Sequence, residues 1–106
     1  MTSSTMFPFR RFLVEDESMR PTLEPGDYVL VNRWAYRFHS PKRGDLVVVQ
    51  DPEMPERFLV KRVSDAAGPT QVRLAGDNRI ASRDSRIFGP VPIERIVGKV
   101  WIRLKR

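Results

Sequence analysis

Three groups of residues have types and settings that could do chemistry: a lysine inside an apolar run, a serine on a turn, and hydroxyls beside acids in one polar loop. The lysine is Lys61 in Glu56-Arg57-Phe58-Leu59-Val60-Lys61-Arg62-Val63. Its neighbours are β-formers, bounded by Pro55 before and Ser64-Asp65 after, which predicts a strand. Alternation along that strand puts Lys61 with Leu59 and Val63 on one face, and Arg62 with Phe58 and Val60 on the other. Desolvation disfavours an ammonium among apolar side chains, so a lysine there gives up its proton more readily and can accept one from a nucleophile. The commoner arrangement is an edge strand whose lysine lays its stem on apolar surface and reaches water.

Ser18 lies at a turn, with acids before it and Met19 and Pro21 after it. A serine held on a tight turn can expose its hydroxyl while its own N–H points toward a developing oxyanion. Turn and cap serines are the ordinary case. The loop of residues 76–86 carries Ser82, Ser85 and Asp84, which could orient a neutral lysine by hydrogen bonds; it also reads as a solvated connection with Asx turns.

Composition narrows the chemistry. There is no cysteine, hence no disulfide framework, thiolate nucleophile or cysteine metal site. With one histidine, His39, in a polar Pro-flanked loop, both a zinc site and a Ser-His-Asp arrangement are improbable, and no cofactor is expected. The net charge of +6 favours anionic partners. The arginines are scattered, without the basic-aromatic pattern of an RNA-binding module, so no specific nucleic acid is expected. No apolar run approaches the roughly 20 residues that span a bilayer, and the first eleven residues lack a signal-peptide apolar centre, so the chain is expected to stay where it is made.

The elements that must position these residues are short and β-rich. Strands are expected at residues 11–15, 28–32, 46–50, 58–63, 71–75 and 96–104, the last alternating with Val100, Ile102 and Leu104 on one side. One helical turn beginning near Ser18 would end at Pro25-Gly26. There is no internal repeat and no linker. The expected architecture is mainly β, a compact barrel or sandwich with little helix, made of a flexible N-terminal tail over residues 1–11 and one domain over residues 12–106.

The order of the segments carries a resemblance. Ser18-Met19-Arg20-Pro21-Thr22-Leu23 comes first, then Gly26-Asp27-Tyr28-Val29-Leu30-Val31 and Arg43-Gly44-Asp45-Leu46-Val47-Val48. Val60-Lys61-Arg62-Val63 follows, and then Gly76-Asp77-Asn78 with Ser82-Arg83-Asp84-Ser85-Arg86. In this order they resemble the signal peptidase I family of Ser/Lys proteases. The resemblance implies a signal-peptidase or LexA-like β barrel as the fold of residues 12–106.

The resemblance further implies Ser18 as nucleophile and Lys61 as general base, a pair that needs no histidine. Ser82 matches the hydroxyl that hydrogen-bonds the lysine amine, Asp84 the supporting acid, and Asp77 with Arg86 an ion pair bracing the loop. Met19 matches a wall of the substrate pocket. The implied reaction is removal of an N-terminal leader or signal peptide from a protein precursor.

Asp16 departs from the family, standing where many members place a serine that helps hold the oxyanion. A carboxylate there repels the oxyanion unless turned away, so the hole rests chiefly on the Ser18 N–H. The membrane-spanning segment usual ahead of the serine is not found, nor is the large β-rich insertion of the bigger bacterial enzymes. In this the chain resembles the short soluble branch that matures nickel-type superoxide dismutase, with any nickel belonging to the substrate. That branch implies a cytoplasmic protein, with peripheral contact at an anionic membrane as a further expectation. A non-catalytic or self-cleaving regulatory domain of the same fold is the alternative.

Overall fold

The computed structural model describes residues 8–78, 80 and 88–104. Seven antiparallel strands form one curled sheet, a half-barrel: β1 (Phe9–Leu13), β2 (Tyr28–Asn32), β3 (Leu46–Gln50), β4 (Phe58–Ala66), β5 (Gln71–Ala75), β6 (Val91–Pro92) and β7 (Ile96–Leu104). Their order across the sheet is β1-β2-β7-β3-β4-β5-β6. A 3-10 turn at Ile93–Arg95 leads into β7. Among the described residues no helix is long and apolar enough to cross a membrane.

The unbroken apolar run Val47-Val48-Val49 explains the centre, because a strand apolar on successive residues must be covered on both faces. Val48 packs on one side with Phe12, Val14, Met19, Leu23, Val29 and Val31. Val47 and Val49 pack on the other with Leu59, Val63, Val72, Leu74 and Val91. Each such fully buried aliphatic side chain contributes about 1.5–3 kcal/mol.

Strands β2, β3 and β5 have the bounds read from the sequence. Strand β1 starts earlier than the expected residue 11, so Phe9 and Arg10, read as tail, pair with Asn32 and Val31. Strand β7 departs more: Leu30 faces Ile102 while Val31 faces Val100, and Val48 faces Gly98 while Val49 faces Ile96. Trp101 and Val97 are therefore extra residues, and each such bulge bends the strand and steepens its twist. That curls the sheet and breaks the simple alternation expected to put Val100, Ile102 and Leu104 on one side; Ile102 is 41% exposed.

Candidate active site

The turn after β1 is built before it is decorated. Val14 N–H donates to the Asp27 carbonyl and Gly26 N–H to the Val14 carbonyl, both at 2.8 Å, closing residues 14–27 into a loop. Inside it Leu23 N–H reaches the Met19 carbonyl at 2.9 Å and Arg20 N–H the Glu17 carbonyl at 3.1 Å, one tight turn rather than a helix. Met19 is the anchor, inserted into the core at 1% exposure. Ser18 is thereby held at 2% exposure, and its N–H donates to Asp16 Oδ1 at 3.0 Å.

Lys61 sits mid-strand in β4, opposite Val47, and is 1% exposed. The arrangement in which the lysine reaches water does not apply, since the whole side chain is buried. Arg62 points to the opposite face, as alternation requires. Its guanidinium meets Asp77 through Nε to Oδ1 at 2.9 Å and Nη2 to Oδ2 at 2.8 Å, with Nη1 on the Gly44 carbonyl at 2.9 Å. The Thr22 hydroxyl donates to Asp77 Oδ2 at 2.5 Å. Hydrogen bonds from Arg62 hold the Asp77 carboxyl below its ordinary range against the opposing effect of burial, helped by Thr22.

The next residue continues the clamp. Asn78 N–H donates to the Ser18 carbonyl at 2.8 Å, and Asn78 Nδ2 to the Glu17 carbonyl at 3.1 Å. Consecutive residues Asp77 and Asn78 thus grip the neighbour of Lys61 and the serine turn itself. The buried serine and buried lysine sit on segments fastened to one two-residue bracket.

A narrow groove runs between the two segments, lined by residues 13–16 and Met19 on one side and residues 57–60 on the other. Strand β5 pairs with β4 only from Arg62 onward, so over residues 58–60 the described strand partner is β3 alone.

Of the residues singled out in the sequence, Asp16 and Met19 line this groove, Ser18 and Asp77 belong to the bracket, and Lys61 is buried in β4 between groove-lining Val60 and bracketed Arg62. Ser82, Asp84 and Arg86 lie outside the described residues. Sequence reasoning passed over Arg62, Thr22 and Asn78. The available signal was register: Arg62 faces Ala75, two residues before Asp77, so the hairpin itself carries that acid toward the arginine.

The sequence that builds this half-barrel has counterparts among known proteins. The family model described as signal peptidase, peptidase S26 matches residues 1–73 and 69–105. The chain is 37% identical over 109 residues to the mitochondrial ATP-independent inner membrane protease subunit 1b of Arabidopsis thaliana, covering 82% of this chain and 64% of that one. It is 35% identical to the mitochondrial inner membrane protease subunit 2 of Danio rerio, over 81% of this chain and 58% of the relative. It is 34% identical to signal peptidase I of Pseudomonas aeruginosa, over 85% of this chain and 36% of that enzyme. The chain belongs to the signal peptidase, peptidase S26, family. It spans less than two thirds of the length of each of these three relatives.

Proposed function

We infer that the chain is a serine endopeptidase that removes an N-terminal leader or signal peptide from a precursor protein with a Ser18/Lys61 dyad. The observation that carries this is that the buried Ser18 and the buried Lys61 lie on segments fastened by the Asp77-Asn78 bracket. The groove beside them is narrow, about 10 Å³, so an extended precursor segment would have to widen it to lie along residues 58–60. Ser18 Oγ then attacks the scissile carbonyl, giving its proton to the neutral amine of Lys61. Burial at 1% exposure favours that neutral form. The amine returns the proton to the leaving nitrogen, and water releases the acyl group from Ser18. Met19 forms part of the groove wall, and Ser82 and Asp84 support the amine. No cofactor enters the scheme.

The precursor of a nickel superoxide dismutase is the substrate we favour, on the strength of the segment Val29-Leu30-Val31-Asn32 followed by Ala35-Tyr36-Arg37. We place the protein in the cytoplasm, with peripheral contact at anionic membrane. Phe9 stacks at 4.8 Å on Trp101, itself 60% exposed, and Arg10 and Arg11 lie on the same strand. Aromatic and cationic side chains together suit a lipid interface, and binding to anionic vesicles should be reversed by salt.

The deciding experiment is incubation of the purified protein with a leader-bearing precursor, alongside Ser18→Ala and Lys61→Ala, with product termini read by mass spectrometry. Cleavage at one site, lost in both variants, supports the dyad. Cleavage of a secretory precursor in place of the dismutase precursor moves the substrate to general signal peptides. A folded protein that cuts neither leaves the non-catalytic module of the same fold.

A further inference from the structure

We propose that Asp16 is a resident competitor for the oxyanion position, so that the chain in this conformation is held back until the carboxylate leaves the Ser18 N–H. This rests on Ser18 being the nucleophile. The N–H of the nucleophilic residue is the donor the tetrahedral intermediate would use. Here that donor already has an acceptor, Asp16 Oδ1 at 3.0 Å. The carboxylate oxygen stands where the negative oxygen of the intermediate would form, and it carries the same charge. An incoming carbonyl must displace it and then develop its charge beside whatever part of the carboxylate remains close.

The surroundings make displacement feasible. Asp16 is exposed and lines the groove, whereas Ser18 and Met19 are locked in place by the core and by Asn78. The carboxylate can swing to water while the donor stays fixed. Glu17, the other acid beside the serine, is drawn off by Arg20 at 3.4 Å. Asp16 is therefore a positioning residue acting through the Ser18 N–H, setting how often the site is open.

The test compares the parent with Asp16→Ser and Asp16→Asn, reading kcat and KM separately on one precursor peptide. A peptidyl boronic acid, whose boron adds to the serine and presents an anionic oxygen, gives a readout independent of turnover. Asp16→Ser should raise kcat about tenfold, part of the roughly 10²–10³ that one oxyanion donor is worth, with KM within about twofold. Boronate affinity should rise by the same factor, and Asp16→Asn, which keeps the acceptor but not the charge, should fall between. Thermal melts check that both variants are folded. Unchanged or lower kcat and boronate affinity in folded variants, with cleavage still abolished by Ser18→Ala, overturn the role of Asp16 alone. If no form cuts and no boronate attaches to Ser18, the nucleophile assignment fails and this proposal with it.

Discussion

Asp77 holds Arg62 through both carboxylate oxygens, at 2.9 and 2.8 Å, while the residue after it holds the carbonyl of Ser18 at 2.8 Å. This relationship joins strand and turn across more than forty residues of sequence. It sets the first prediction. Both side chains are partly exposed, at 35% and 19%, so solvent screening discounts the pair. Asp77→Asn or Arg62→Met should each cost about 1–2 kcal/mol in urea denaturation, the range left for a screened charge-assisted bond. A double-mutant cycle should recover a coupling of about 1 kcal/mol. Cleavage should fall further than stability does, since the bracket also orients the serine turn.

The acid limb of stability follows from two lowered carboxyls. Asp77 is lowered chiefly by its hydrogen bonds from Arg62. Burial works to raise Asp45, but the Lys42 N–H, the Tyr36 hydroxyl at 2.7 Å and Lys99 outweigh it, so Asp45 is lowered too. A carboxyl lowered by folding adds stability that is fully present above its unfolded value, about 3.9, and is lost as pH falls through the folded one. Melting temperature should hold near neutral pH and drop below about pH 4. Asp45→Asn and Asp77→Asn should each be less stable at pH 7 and show a shallower drop.

Gly98 offers a backbone test. A Cβ on it would run into the Asn32 carbonyl oxygen and come within 2.7 Å of Val31 Cγ1, where β7 crosses closely behind β2. Backbone cannot yield as a flexible side chain can, so Gly98→Ala should cost about 1–3 kcal/mol. Equilibrium unfolding should show a lowered midpoint at unchanged slope.

That glycine also marks the limit of what the sequence could say. The apolar run Leu46 to Gln50 and the β-rich runs bounded by turn residues located β2, β3 and β5, because local composition decides those features. The bulges at Val97 and Trp101 are decided by how β7 must bend between β2 and β3, which no local pattern encodes, so the smooth alternation of residues 96–104 misled. The site divides the same way. Ser18 and Lys61 stood out by residue type and setting and by family resemblance. The Arg62–Asp77 grip needs the β4–β5 register, and that register shifts where Ser64 is the extra residue between Val63 and Asp65. Asp77 was expected to brace Arg86, which lies outside the described residues; its carboxylate is engaged by Arg62 and Thr22.

Met19 should separate packing from chemistry at the turn. Met19→Ala empties a fully buried site and should cost about 2–5 kcal/mol. Met19→Leu conserves volume and should cost less than about 1.5 kcal/mol. If Met19 acts mainly by fixing the serine turn, cleavage by the leucine variant should stay near that of the parent, and cleavage by the alanine variant should fall even at temperatures where it is fully folded.

Lys61 gives the sharpest separation, because its long apolar stem is wholly buried in a strand interior. Methionine reproduces most of that stem without an amine. Lys61→Met should therefore lose less stability than Lys61→Ala, because it fills the same space. Lys61→Ala leaves a cavity and should lose about 2–5 kcal/mol, the range for truncating a long buried side chain. Both should abolish cleavage if the amine is the base. For the parent, cleavage should rise with pH as the fraction of neutral amine rises, since only that form can take the Ser18 proton. A Lys61→Met protein that is folded and still cuts the precursor would remove the lysine from the mechanism while leaving the fold as described.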